Sequence, residues 1–281
     1  MMTTEALLRR GLERRGEHVV LTLEPAFQGL PETAHGGSVV AALHLLAGGR
    51  IPAAVLGRYR RRVPLGVPLQ VSLESRGAVQ VGRVRDASDT VLVEGEVSTA
   101  IEPAHGAAEP PAFDEGRTHP LPVAASCLAC GTRNALGLQA RLRYDETQVA
   151  GTGPPRPALA ADGRLAPLAL TTLLDEAAFW LGVLASGESG MTTELAITLG
   201  TPVPFGVPVT VAGRRAAVRR RDDDPRYWDT EVQAWAGPGP PVAWGRITFV
   251  AVRGAARRLA AAMLALNPPE VVRRAFPAYV R

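Results

Sequence analysis

Val63-Pro64-Leu65-Gly66-Val67-Pro68-Leu69-Gln70-Val71 returns in the second half of the chain as Val203-Pro204-Phe205-Gly206-Val207-Pro208-Val209-Thr210-Val211, six of the nine positions being identical. In each copy a Pro/Gly turn runs into a segment with alternating apolar residues, the period of a half-buried strand. The surroundings of the two copies follow one order. A short strand leads (18–23; 138–144), then a nearly uncharged helix (36–47; 167–185). Further alternating segments follow (67–73, 78–85, 90–101; 207–218, 228–235, 242–252). The offset between the halves grows along the chain, as it does when duplicated domains acquire loop insertions. A helix that is apolar nearly all round must be buried on all sides. A curved antiparallel sheet wrapped around that helix supplies such an environment. The sequence therefore predicts an α+β protein of two tandem units. These cover 1–103 and 123–253, with a Pro/Gly/Ala-rich linker over 104–122 and a helical tail over 254–281.

Composition narrows the chemistry. All 31 basic residues are Arg, and Lys is absent from the 281 residues. That excludes a Walker phosphate loop, pyridoxal Schiff-base chemistry and the kinase lysine. No G-x-G-x-x-G, G-x-S-x-G or H-E-x-x-H occurs. The first residues, MMTTEALLRRGLERRG, lack the apolar core of a secretory signal. The uncharged run 165–174 meets Asp175 and Glu176 in mid-span, which suits a buried soluble helix better than a membrane helix. Two cysteines cannot build a multi-disulfide framework and fit a reducing compartment. The net charge of +4 suits an anionic ligand, but scattered Arg and 5% aromatics give no nucleic-acid surface. The expectation is a cytoplasmic protein without membrane or nucleic-acid partners.

Phe27-Gln28-Gly29-Leu30-Pro31-Glu32-Thr33-Ala34-His35-Gly36-Gly37 resembles the fQGxPGxxHGG segment of hotdog acyl-CoA thioesterases of the PaaI-like group. Cys127-Leu128-Ala129-Cys130-Gly131, with Asn134 and Gly137-Leu138, is similar to that group's CxxCGxxNxxGL leader. Leu173-Leu174-Asp175-Glu176-Ala177 resembles the helix segment bearing its catalytic acid. The resemblance implies two hotdog domains joined as a pseudo-dimer, and an acyl-CoA substrate. Coenzyme A then enters as part of the substrate, with no other cofactor and no metal. A homodimer of the double-hotdog chain is compatible with it.

The residues themselves support such chemistry. Gly36 and Gly37 open a buried helix, so their N–H groups lie at the positive end of its dipole. Such donors suit a thioester carbonyl and the oxyanion it becomes. A carboxylate in a partly dehydrated cleft acts as nucleophile or general base.

Alignment of the halves pairs Gly36 with Pro167, His35 with Ala166, Gln28 with Leu159 and His44 with Asp175. Pro167 has no N–H to offer. The first half thus keeps the oxyanion end and the second keeps the acid. In hotdog dimers each site combines the two, so one composite site keeps every part and its twin keeps none. The expected catalytic set is Asp175, Gly36 and Gly37, with His35 and Gln28 orienting the carbonyl or water. Arg58, Arg60 and Arg62 alternate along a strand and are expected to share one face toward coenzyme A phosphates. Thr171 and Glu176, on the acid's helix, are expected to touch substrate.

Other constellations rank lower. Cys127 and Cys130 look like half a metal site, but with no second pair and every His at or before residue 119 they read as a structural turn. Asp114 and His119 match the Asp-x4-His spacing of hotdog enoyl-CoA hydratases, yet the Asn-Pro expected between them is missing, and the match reads as accidental. Arg219-Arg220-Arg221 with Asp222-Asp223-Asp224 reads as a self-neutralising surface loop. The alternatives to a hydrolase are a non-catalytic acyl-CoA sensor and a hotdog dehydratase or hydratase.

Overall fold

A computed structural model describes residues 2–16, 18–102, 109–112 and 115–280. In the first half, helix α1 (Thr4–Arg10), the hairpin β1 (Leu12–Arg15) and β2 (His18–Leu21), and helix α2 (Gly36–Leu46) precede four strands. These are β3 (Ala53–Tyr59), β4 (Leu69–Arg76), β5 (Val79–Arg85) and β6 (Val91–Ser98). After the two-residue strand β7 (His119–Pro120), the second half opens with the hairpin β8 (Arg141–Tyr144) and β9 (Gln148–Gly153). The short β10 (Ala160–Ala161) and β11 (Arg164–Leu165) lead into helix α3 (Pro167–Ser186). Then come β12 (Gly190–Leu199), β13 (Val209–Arg214), β14 (Arg219–Arg220), β15 (Tyr227–Trp235) and β16 (Ala243–Ala251), and helices α4 (Ala255–Leu264) and α5 (Pro269–Ala275).

All strands but β10 and β11, which pair only with each other, form one continuous sheet in the order β1-β2-β4-β5-β6-β3-β12-β16-β15-β13-β9-β8-β7, with β14 beside β15. Each half repeats the other in mirror order about the β3–β12 junction. There Arg58 pairs with Glu194 and Ala53 with Leu199 in antiparallel register. The junction covers what would otherwise be two exposed edges. Both Val-Pro repeats lead into equivalent strands, β4 and β13. One expected correspondence changes. By position in the sheet β2 matches β9, and β8 matches β1, so the partner of 18–23 is Gln148–Gly153 and not 138–144. The last residues of the expected linker, His119 and Pro120, join the sheet as an edge strand on β8.

The two central helices sit where their sequence demands. In β3 the side chains of Ala53 and Val55 are buried and those of Ala54, Leu56 and Arg58 are less so. One sheet face therefore carries the core and the other the polar residues. Helix α3 is apolar enough by length to cross a membrane, but 83% of its most apolar window is buried inside this protein. Its start has Pro167 in the first turn and no side-chain cap, whereas in the first turn of α2 the Gly37 N–H meets a side chain, donating to Asp175. The helices touch through Gly37. A Cβ there would stand 2.6 Å from Thr172 Cα and 2.7 Å from the Thr171 carbonyl carbon, so only glycine admits this approach.

Each half's leader crosses to the other half. Thr4 donates its hydroxyl to the carbonyls of Leu136 and Ala158. Asn134 donates to the Ala26 carbonyl, and Leu128 N–H to that of Gln28. The tail is two helices, α4 and α5, not one. Asn267 ties it to Val123 through two hydrogen bonds of 2.8 Å.

Candidate active site

The N-terminus of α2 and the middle of α3 come from opposite halves and meet at one point. Asp175, only 4% exposed, receives the Gly37 N–H on Oδ2 at 3.0 Å. The same oxygen lies 3.1 Å from His35 Nδ1. Its other oxygen, Oδ1, accepts the Thr192 hydroxyl at 2.6 Å. Gly36 packs so closely on this carboxylate that a Cβ would stand 2.7 Å from Oδ2. The Gly36 N–H is first in its helix, has no intrahelical acceptor, and lies in the cavity wall. Tyr59 holds the helix start by donating its hydroxyl to the Gly36 carbonyl at 2.6 Å.

A cavity of about 320 Å³ opens over these groups. One wall is apolar, with Leu30, Val63, Phe179 and Met191, and with Leu259 and Met263 of α4 as a cover. Arg60, Arg61 and Arg62 also line it. The floor is polar. Glu176 Oε1 accepts the Trp180 indole N–H at 3.1 Å, while Oε2 lies 3.7 Å from His35 Nε2 and 4.0 Å from Cys127 Sγ.

Burial alone would lower the His35 imidazole. The Asp175 charge and hydrogen bond, and the hydrogen bond to Glu176, outweigh it and hold His35 well above its ordinary value. Burial, with the Asp175 charge, pushes the Tyr59 phenol well up, so it stays a neutral donor. The hydrogen bond from Cys130 lowers the Cys127 thiol against the effect of burial, and Cys130 is pushed well up by that bond and by burial.

The structure thus brings together Asp175, Glu176, His35, Gly36 and Gly37, and corrects four expectations. Gly37 N–H is taken by Asp175, which leaves Gly36, a residue lining the cavity, with the first N–H of the helix and no intrahelical acceptor. Gln28 does not line the cavity; its carbonyl receives the Leu128 N–H, so its role is to seat the Cys127 turn. Thr171 is buried and gives its hydroxyl to the carbonyls of Gly37 and Leu168, which makes it a helix-to-helix tie and not a substrate contact. Arg58, Arg60 and Arg62 do not share a face, because β3 ends at Tyr59 and the chain bends. Arg58 lies on the outer sheet face between Glu96 and Glu194, both 3.1 Å away, and Arg60 is held by Glu94 at 2.6 Å.

Thr192 and Tyr59 escaped the sequence reading because their strands, β12 and the body of β3, carry weak alternation. Of the distant loop motif, Asp114 lies outside the described residues; His119 meets the Tyr144 ring edge-on and lies 2.9 Å from Arg274. In the acidic loop Arg221 pairs with Asp229 and Arg226 with Asp224, in place of mutual neutralisation within 219–224.

The twin position has no such constellation. Pro167 replaces the glycine, and His44 is buried with Nε2 on the Arg50 carbonyl at 2.9 Å and no partner for Nδ1. Helix α1 packs on both α2 and the short β10 beside α3.

No protein-family model matches the chain, and no curated protein matches it as a relative. Solved structures do. A protein assigned as a thioesterase II from Thermobifida fusca YX superposes with a TM-score of 0.63 at 17% identity, covering 88% of this chain and 99% of the other. An acyl-CoA thioesterase II from Mycobacterium marinum gives 0.55 at 13% identity, covering 86% and 95%. The chain has the double-hotdog fold. The pyran synthase domain from module nine of the sorangicin pathway matches as well, with a TM-score of 0.58 and 18% identity over 86% and 98% of the two chains. At these identities what is shared is the fold, and the reaction must be argued from the site.

Proposed function

We propose that the chain hydrolyses an acyl-CoA thioester to the free acid and coenzyme A at one composite site between its halves. The observation that carries this reading is the Asp175 carboxylate of one half against the Gly36–Gly37 helix start of the other. The thioesterases among its structural neighbours support thioester hydrolysis as the reaction class.

In this mechanism the thioester carbonyl oxygen points at Gly36 N–H. Asp175 acts as general base on a water, whose oxygen attacks the carbonyl carbon. Both oxygens of Asp175 already accept hydrogen bonds from Gly37 and Thr192, which suits a base held in place better than a displaced nucleophile. Negative charge then collects on the former carbonyl oxygen, where the Gly36 N–H and the helix dipole stabilise it. Collapse of this tetrahedral species breaks the C–S bond, and the departing sulfur takes the proton from Asp175. Charged His35 fixes Asp175 between Glu176 and the helix start. Arg61 and Arg62 border the cavity and offer bidentate contacts to coenzyme A phosphates. The protein acts in the cytoplasm, where coenzyme A thioesters are found.

One observation favours a second reading. His35 and Asp175 form the imidazole–carboxylate pair that a dehydratase of this fold would need, and the dehydratase domain of RzxB from Pseudomonas fluorescens shares the fold. Release of free thiol from a panel of acyl-CoAs, run beside loss of water from 3-hydroxyacyl-CoAs, separates the two. Saturable binding with neither reaction would identify a non-catalytic binder.

A further inference from the structure

The thioester reaction leaves one part of the cavity unused. His35 Nε2, Glu176 Oε2 and Cys127 Sγ all lie within 4.8 Å of one another, and all three residues are buried. Two of the separations, 3.7 Å from His35 Nε2 and 4.0 Å from Cys127 Sγ to Glu176 Oε2, are too long for strong hydrogen bonds. A point equidistant from the three atoms lies no more than about 2.5 Å from each, against roughly 2.0–2.3 Å for zinc bound by imidazole, carboxylate and thiolate. Closing that difference needs only small side-chain adjustments.

Three protein ligands leave the fourth position of a tetrahedral zinc open to a water or solute. Cys127 is free and buried, and Cys130 on the same turn stands outside the group. The turn is shaped around sulfur: Ala129 N–H points at Cys127 Sγ at 3.3 Å, and Gly131 N–H closes on the Cys127 carbonyl at 2.9 Å. A backbone N–H aimed at sulfur stabilises a thiolate. His35 is held for ligation too, since its Nδ1 faces Asp175 Oδ2 at 3.1 Å while Nε2 faces the gap. A carboxylate behind the far nitrogen of a ligating imidazole fixes its ring and raises its basicity.

We propose that Cys127, Glu176 and His35 Nε2 form a binding site for a divalent cation of borderline softness, with Zn²⁺ the best match, and that the bound ion closes the floor of the cavity. A mixed S/N/O set of this kind disfavours Mg²⁺ and Ca²⁺, which take oxygen ligands. Binding releases to solvent the Cys127 thiol proton and the His35 Nε2 proton, while His35 Nδ1–H keeps facing Asp175. The binding does not rest on the hydrolase reading.

The test uses the full chain, reduced and freed of metal by chelator, titrated with Co²⁺ and followed by absorbance. A thiolate-to-cobalt charge-transfer band should rise to saturation at one ion per chain and vanish when Zn²⁺ is added. Cys127→Ser should lose the band, and Glu176→Gln, which keeps both cysteines, should weaken Co²⁺ binding at least tenfold. Zn²⁺ should also protect the Cys127 thiol of the unaltered protein from alkylation, read by peptide mapping, a readout that needs no variant to fold. Absence of the band in the reduced protein, a band unchanged in Cys127→Ser, or a Cys127 thiol equally reactive with and without Zn²⁺ would overturn the proposal. Thioester hydrolysis without any cobalt band would sink the metal site alone and leave the hydrolase reading standing.

Discussion

Thr192→Val removes one hydroxyl from the site and little else. The Thr192 hydroxyl donates to Asp175 Oδ1 at 2.6 Å, and valine keeps the branched shape. A hydrogen bond to a charged group contributes about 1.5–3 kcal/mol. If that orientation is needed in the transition state, the loss in kcat/KM is roughly 10- to 150-fold, at about 1.4 kcal/mol per factor of ten. The cost should fall mainly on kcat, since the hydroxyl touches the base and not the substrate. Thr192→Ser restores the donor and should recover most of the activity. The assay is thiol release from an acyl-CoA at limiting and saturating substrate, with thermal unfolding as the check on folding. A Thr192→Val protein within twofold of the parent would show that Asp175 does not depend on this bond. A loss seen only in KM would place Thr192 at the substrate.

Three further outcomes are expected. Arg62→Ala should raise KM for coenzyme A thioesters more than for pantetheine thioesters, while Arg58→Ala should change neither, because Arg58 is committed to Glu96 and Glu194; steady-state kinetics on both substrates checks this. Thr171→Val should lower stability by about 0.5–1.5 kcal/mol in denaturant unfolding, through loss of the hydroxyl's bonds to the Gly37 and Leu168 carbonyls, and leave KM alone; a KM effect without a stability effect would return Thr171 to the substrate. The folded-state pKa of His35 is raised, so the stability it contributes is full below its unfolded value of about 6.5 and is lost as pH rises through the folded value. The stability gap between the parent and His35→Gln should therefore shrink from pH 6 toward alkaline pH; a gap that widens would mean His35 is buried neutral.

The fold was legible because two independent periodicities agreed. The Val-Pro repeat fixed the turn before β4 and β13, and the absence of charge around α2 and α3 demanded burial on all sides. The junction strands were not legible. β12 begins Gly190-Met191-Thr192-Thr193-Glu194, where alternation is weak, and β3 is interrupted by Gly57. Thr192 and Tyr59 were missed with them. The acid and the helix start were readable from the complementary losses between the halves, Pro167 against Gly36 and His44 against Asp175. What spacing could not supply was direction. Alternation put Arg58, Arg60 and Arg62 on one face, but a bend after Tyr59 separates them. Sequence distance likewise hid the meeting of His35 with Cys127, since the leader of one half packs on the Gln28 loop of the other.

One measurement bears most directly on the composite, single-site account: kcat/KM of Asp175→Asn and His44→Gln beside the parent, on one acyl-CoA. Asp175→Asn keeps the shape and removes the base, so turnover should fall on the order of 10²-fold or more. His44 occupies the matching helix position at the twin, where Pro167 offers no N–H. His44→Gln should stay within a few-fold of the parent. Equal losses in the two variants, or full activity in Asp175→Asn, would contradict the account.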